Sequence, residues 1–270
     1  MPQVIISPAK QMRIDADSFP ARGIPPFPDE TARLHRALVD ILHHEGPQGL
    51  QRLWSISDAL LSSTLERLEE FDPILDVGDL DAASVARRVG PAVFAYVGLQ
   101  YKSLAPEVLE RDALAWLQKH LWVLSGLYGC VRPFDAVQPY RLEMGAKLRV
   151  DGTRNLYEFW GTRLAACVSH EANVIVNLAS VEYAKAVLPH VHASIPLVTC
   201  IFGEELRDGK PVQRSGASKR ARGSMVRWMA EQNVRTASEL AAFDVGYAFA
   251  PELSTLDTPN LRDTMVFMKR

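Results

Sequence analysis

The residues of this chain best suited to chemistry come in short polar bursts, each directly behind an apolar run. Ser7 and Lys10 follow Val4-Ile5-Ile6, and Gln100, Tyr101 and Lys102 follow Ala92–Val97. Ser125, Tyr128, Arg132, Gln138, Tyr140, Arg141 and Glu143 follow Leu121–Leu124. Asn177, Ser180, Glu182, Tyr183 and Lys185 follow Val174-Ile175-Val176. If the apolar runs are parallel strands, these tails converge on one cleft, because open α/β sheets bind ligands beyond the carboxyl ends of their strands. Such a cleft sets Lys10, Lys102, Arg132, Arg141 and Lys185 against Glu143 and Glu182, with tyrosine walls. Planar guanidinium forks and ammonium groups in that setting suit a phosphate, a carboxylate or a nucleotide. The same residues also allow a plainer arrangement, in which Arg132–Glu143 and Lys185–Glu182 are ion pairs that only hold loops.

A second basic feature lies further on. From Lys210 to Arg227 there are six cations (Lys210, Arg214, Lys219, Arg220, Arg222, Arg227) and no acid. Ser215-Gly216-Ala217-Ser218 leads into a helix there, so free N–H groups at its start add to the attraction for phosphate. The alternative is a solvated charged face, which most charge runs are. Lys219 and Arg222 are candidates for the cleft, and Lys219, Arg220 and Arg222 for contacts to DNA.

Enzyme motifs are absent: there is no P-loop, no Gly-x-Gly-x-x-Gly and no Gly-x-Ser-x-Gly. A base at Lys10 or Tyr128, activated by neighbouring cations, and acid–base work by Glu143 or Glu182 stay open, but no reaction is identified. The seven His are scattered, and adjacent His43 and His44 on a helix point about 100° apart. Cys130, Cys167 and Cys200 are odd in number and far apart, which argues against a disulfide framework or a CxxC site. The expectation is no cofactor and no dedicated metal centre.

Helices alternating with apolar runs imply an α/β protein, a single compact domain over 1–270 with a mixed sheet flanked by helices. Val4–Ile6, Ala92–Val97, Leu121–Ser125 and Asn173–Leu178 read as strands, with closing strands at Ala248 and Met265–Met268. Ile195–Gly203 and Lys210–Arg214 read as a hairpin turning at Asp208-Gly209. Residues 13–28 read as an irregular loop. A helical segment, about 29–72, is inserted after the first strand and broken at Gly46-Pro47. Later helices are expected at Glu107–Lys119, Leu156–His170, Val181–Val187 and Ser218–Gln232.

A net charge of −2 on 270 residues excludes a protein-wide basic field, so polyanion binding requires a local patch. No stretch has membrane-spanning length, and the N-terminus does not read as a signal peptide. A cytoplasmic protein with reduced thiols, without a membrane partner, is the expectation.

The same residues carry a resemblance. Ile6-Ser7-Pro8-Ala9-Lys10 looks like the opening motif of the YaaA family. Leu124-Ser125-Gly126-Leu127-Tyr128-Gly129, Arg132-Pro133 and Gln138-Pro139-Tyr140-Arg141-Leu142-Glu143-Met144 resemble its central signature. Leu156-Tyr157, Phe159-Trp160-Gly161, Asn177-Leu178-Ala179-Ser180, Glu182-Tyr183, Lys219 and Ala221-Arg222-Gly223 follow in family order. The resemblance implies a bacterial cytosolic peroxide-stress protein associated with lower free iron and less oxidative DNA damage. It also implies a helix-hairpin-helix element beside a positive cleft, as in DNA-binding proteins. The local basic run, with no obvious base-reading helix, points to double-stranded DNA held mainly through phosphates, and the cationic cleft to a small anionic ligand as the other candidate partner. The stretch matching the helix-hairpin-helix element is Leu50–Leu60, with Ser55-Ile56-Ser57 as the hairpin and Arg52 beside it. It lacks the glycine common in such turns, and an ordinary packed helical pair is the competing reading.

Overall fold

The computed structural model describes residues 1–15 and 19–270, so part of the early loop lies outside the described residues. Its centre is a seven-stranded mixed sheet. The strands are β1 (Pro2–Ile6), β2 (Leu121–Ser125), β3 (Gly129–Val131), β4 (Val174–Asn177), β5 (Leu197–Gly203), β6 (Tyr247–Phe249) and β7 (Arg262–Lys269). Their order is β6-β7-β5-β4-β1-β2-β3. The five inner strands run parallel, and β3 and β6 close the edges antiparallel. Every residue of β1, β2 and β4 is buried, which explains why these strands read as unbroken apolar runs: layers cover both faces of the sheet.

Counting only the parallel strands, the order is the doubly wound 2-1-3-4-5 pattern. The chain leaves β1 toward β2, then crosses back to β4 on β1's other side. The gap between β1 and β4 is therefore the switch point, where the loops leaving two neighbouring strands diverge and open a crevice.

The inserted helical segment comprises α1 (Pro28–Trp54) and α2 (Asp58–Glu70). Gly46 takes φ +68° and Pro47 follows, which kinks α1 at the expected break. Leu34, Leu38, Leu50, Trp54 and Leu68 anchor the pair to the core. Further on come α3 (Leu99–Leu104), α4 (Arg111–His120), α5 (Arg163–Ser169) and α6 (Ser215–Glu231). The helix expected over Leu156–His170 is divided at Gly161, φ +50°, so that only its second half is α5. Helix α6 packs on α3, α4 and β5.

Two expectations change. Ala92–Val97 is not a strand of the sheet: Ala92–Ala95 is a helical turn, and only Tyr96–Val97 is extended, paired with Gln11–Met12. The Ala92 and Val93 amides donate to Asp135 O and Pro133 O, so a loop takes the place of a neighbouring strand. A short buried apolar run has no periodicity to separate the two outcomes. The expected hairpin is also redrawn. Asp208 and Gly209 do form a two-residue turn, φ +51° and +73°, but it joins Glu205–Arg207 to Lys210–Val212, while Leu197–Gly203 lies in the parallel sheet.

Candidate functional site

At the switch point, Ser7 leaves β1 and Ser180 leaves β4, and the two are joined. The Ser180 amide donates to Ser7 Oγ at 2.8 Å, and the two hydroxyls lie 3.1 Å apart. Ser7 O accepts from Gln100 Nε2 at 2.9 Å and from the Tyr101 hydroxyl at 3.0 Å, which ties α3 to the same loop. Asn177 shapes the exit of β4: its Oδ1 accepts from the Ala179 amide, and its Nδ2 donates to Thr199 Oγ1 on β5. Asn177 is buried and does not line the cavity.

The loops enclose a cavity of about 510 Å³, within the range of small-ligand sites. Its charged lining is Lys10, Arg141, Lys219 and Arg222 against Glu143 and Glu182. Ser7, Gln100, Tyr101, Tyr140, Ser180 and Tyr183 also face it, together with Ser215, which was not among the candidates named for the cleft. Ser215, Lys219 and Arg222 stand at helical spacing, so one face of α6 closes the cavity. That spacing was visible in the sequence; what was missing was which face turns inward.

The ion pairs differ from those considered. Glu143 lies between Lys10, at 3.0 Å, and Arg141, at 2.8 Å. Glu182 Oε1 instead accepts from the Gly145 amide at 2.8 Å. Arg132 is absent from the cavity. After β2 the chain reverses into β3, which carries Arg132 back to the amino end of the sheet. There its guanidinium stacks on Trp122, 3.6 Å from the ring centre, and donates to Gln3 Oε1 and Lys119 O.

Arg222 is different again. It is half-buried, faces the cavity and makes no ion pair among the described residues, and its Nε is buried without a hydrogen-bond partner. Burial pulls its pKa below the ordinary arginine value, although a guanidinium so placed stays charged. Arg141 Nε is likewise buried without a partner. Cationic donors buried without a partner are costly, so both cavity-lining side chains carry an unmet hydrogen-bonding demand.

The phenols are walls and donors, not bases. Tyr140 shares its hydroxyl with Ser125 Oγ at 2.7 Å and Tyr96 OH at 3.1 Å, and burial pushes its pKa up to about 12. Burial also raises Tyr96, Tyr101 and Tyr183. Tyr128 lies behind Tyr140, edge-on at 5.3 Å, and exchanges hydrogen bonds with the Gln138 backbone. Its pKa rises with burial, the opposite of the shift a general base there requires.

On the exposed side of α6, Lys219 at the cavity's rim and Arg220 beyond it make no ion pair among the described residues, whereas Arg214 and Arg227 are paired with Glu205 and Glu231. In the α1–α2 turn, Ser55 takes φ +50°, the place a glycine would fill. Its amide and that of Ile56 donate back to Arg52 O and Gln51 O, Arg52 pairs with Glu45 at 2.8 Å, and Ser57 is exposed before Asp58. Two of the amides a phosphate would need are thus spent inside the turn. Among the described residues no three His, Cys, Asp or Glu side chains are grouped to hold a metal ion, and no helix is long and apolar enough to cross a membrane.

Comparison with known proteins bears on the whole of this arrangement. The family model described as peroxide stress protein YaaA matches residues 3–253, which span every cavity-lining residue. A UPF0246 protein of Pediococcus pentosaceus is 40% identical over 268 residues, covering 99% of this chain and 98% of its own. One from Desulfitobacterium hafniense is 37% identical with the same coverage, and one from Limosilactobacillus fermentum is 41% identical over 255 residues, covering 94% and 96%. With similarity running through both halves of the sheet and both sides of the cavity, the chain belongs to the peroxide stress protein YaaA family.

Proposed function

We propose that this protein serves the peroxide-stress response in the cytoplasm by binding DNA through its phosphates, with the switch-point cavity and the adjoining face of α6 as the anion-binding surface. The observation that carries this reading is Arg222: a half-buried cation without an ion pair among the described residues, facing a cavity whose charged lining is four cations against two carboxylates. Exposed Lys219 and Arg220 extend the positive surface outward along the same helix. No base-reading element is evident, so recognition is of backbone charge, with little dependence on sequence. The Leu50–Leu60 helical pair has a lesser part, since its turn amides and Arg52 already have partners. Any lowering of free iron is indirect in this reading, because a cationic cavity raises the cost of holding a divalent metal.

The size of the cavity, about 510 Å³, favours a second reading, in which it takes a small phosphorylated ligand such as a mononucleotide, as an enzyme's substrate or as an effector. The two share phosphate recognition and separate in one experiment. Gel shifts with duplex DNA are run at low and at physiological salt, with the triple variant Lys219→Ala, Arg220→Ala, Arg222→Ala, and in competition with a nucleoside monophosphate. Salt-sensitive DNA binding that the triple variant loses supports the first reading. Tight mononucleotide binding without DNA binding replaces it with the second, and an unchanged triple variant refutes the assignment of this surface.

A further inference from the structure

The amino end of the sheet holds a second constellation that the phosphate site does not use. Cys130, on edge strand β3, is fully buried, and Cys167, on α5, faces a surface cavity of about 340 Å³. That cavity is also lined by Gln3, Trp122, Arg132, His170 and Glu171. The strand carrying Cys130 packs closely on the helix carrying Cys167, since a Cβ at Gly129 would sit 2.8 Å from Leu164 Cδ2, and each thiol shifts the other's titration. Arg132 is fixed beside them by its stacking on Trp122 and its bonds to Gln3 Oε1 and Lys119 O, both at 3.0 Å, and among the described residues it has no carboxylate ion pair. We propose that Cys167 is a peroxide-reactive thiol and that Cys130 resolves it into an intramolecular disulfide.

The geometry divides the roles. Of the two, only Cys167 lines the surface cavity, so it meets the oxidant, while Cys130 on the adjoining strand is fully buried. The neighbouring Cys130 thiol, and then the Arg132 charge, pull the Cys167 pKa below the usual thiol value, which enriches the nucleophilic thiolate. Burial holds Cys130 above the usual value, so it stays a protonated donor until its partner is oxidised. Asp135 and Glu171 also face Arg132, and Asp135 works against the thiolate.

In the first step the Cys167 sulfur attacks one oxygen of hydrogen peroxide. The O–O bond breaks, hydroxide leaves and takes up the thiol's proton as water, and Cys167 becomes a sulfenic acid. In the second step the Cys130 sulfur attacks the sulfenic sulfur. The S–S bond forms, the S–O bond breaks, and the hydroxyl leaves with the Cys130 proton as a second water. Two thiols are oxidised and one peroxide is reduced to two waters.

The test treats the reduced full-length chain with one equivalent of hydrogen peroxide and follows it by intact mass and peptide mapping. The expected product has lost two hydrogens and carries a Cys130–Cys167 link, with Cys200 still free. Cys130→Ser should trap the Cys167 sulfenic acid, detected with dimedone, and Cys167→Ser should leave the remaining thiols reduced. Arg132→Gln should slow the first step about fivefold by removing the charge that stabilises the thiolate. Cys200→Ser, distant from the pair, should react at the wild-type rate. Oxidation that persists in Cys167→Ser, a product linked through Cys200, or a Cys130→Ser chain that gives no dimedone adduct would each overturn the assignment.

Discussion

The amide of Ser180 donates to Ser7 Oγ at 2.8 Å across the gap between β1 and β4, and the Ser7 hydroxyl donates to Ser180 Oγ at 3.1 Å, so the two serines latch the loops whose divergence creates the cavity. Sheet order puts the crevice there. The latch sets its width, and Gln100 and Tyr101 hold Ser7 in turn from α3.

Ser7→Ala removes the acceptor and leaves the Ser180 amide without its partner. The stability loss should be about 1 kcal/mol, since the loop is only partly buried and water can reach the amide. The loss for the phosphate ligand should be larger, because both loops carry lining residues. Urea midpoints and titration with a nucleoside monophosphate read the two effects separately. An unchanged ligand affinity would mean that the latch does not shape the site.

Arg222→Met should move stability and binding in opposite directions. A half-buried guanidinium with an unpartnered Nε destabilises the empty fold, and an apolar side chain of similar length relieves that strain. The variant should melt above the wild type yet lose phosphate binding by about tenfold or more, as expected when a charge-assisted contact disappears. Scanning calorimetry beside ligand titration checks both. A variant that is less stable and binds normally would make Arg222 a structural residue.

How far the sequence foretold this site depends on the kind of information each residue needed. Ser7, Lys10, Arg141, Glu143, Ser180, Glu182 and Tyr183 stand close behind strand ends, or on the loops that return over them, and chain position alone brings them together. Arg132 follows the same rule in sequence and breaks it in space, because the tight β2–β3 reversal returns the chain to the other end of the sheet. Tyr128 and Asn177 are near the site but buried, a difference set by side-chain direction. Ala92–Ala95 coils because the loop at 133–135 supplies its hydrogen-bond partners, a tertiary fact without local trace.

Gly223 shows a constraint of another kind. A Cβ there would sit 1.9 Å from Gln100 O, because α6 and α3 approach backbone to backbone. The obstacle is a carbonyl that cannot rotate away, so Gly223→Ala must push the helices apart. The cost should be about 3 kcal/mol, at the upper end for overpacking. Because Gln100 and Tyr101 on α3 hold Ser7, ligand affinity should fall as well. A urea midpoint within error of the wild type would show that the helices yield more readily than their packing suggests.

Asp135 makes stability depend on pH in an unusual direction. Its carboxyl is buried and accepts from the Arg132 amide at 2.7 Å, and burial raises its pKa from 3.8 to about 7. The folded chain therefore keeps this proton up to about pH 7, whereas the unfolded chain releases it near 3.8. Between those values the folded state binds more protons, so this group's contribution is greatest below the unfolded pKa. It falls as pH rises through the folded pKa, by up to about 1.4 kcal/mol per pH unit. Asp135→Asn keeps the acceptor for the Arg132 amide and cannot ionise. The wild type should thus lose stability between pH 5 and pH 7.5 relative to Asp135→Asn, and the two curves should converge in the acid range. Urea midpoints for both proteins across that interval provide the check. Parallel curves would mean that Asp135 is ionised in the fold, with the nearby Arg132 charge outweighing burial.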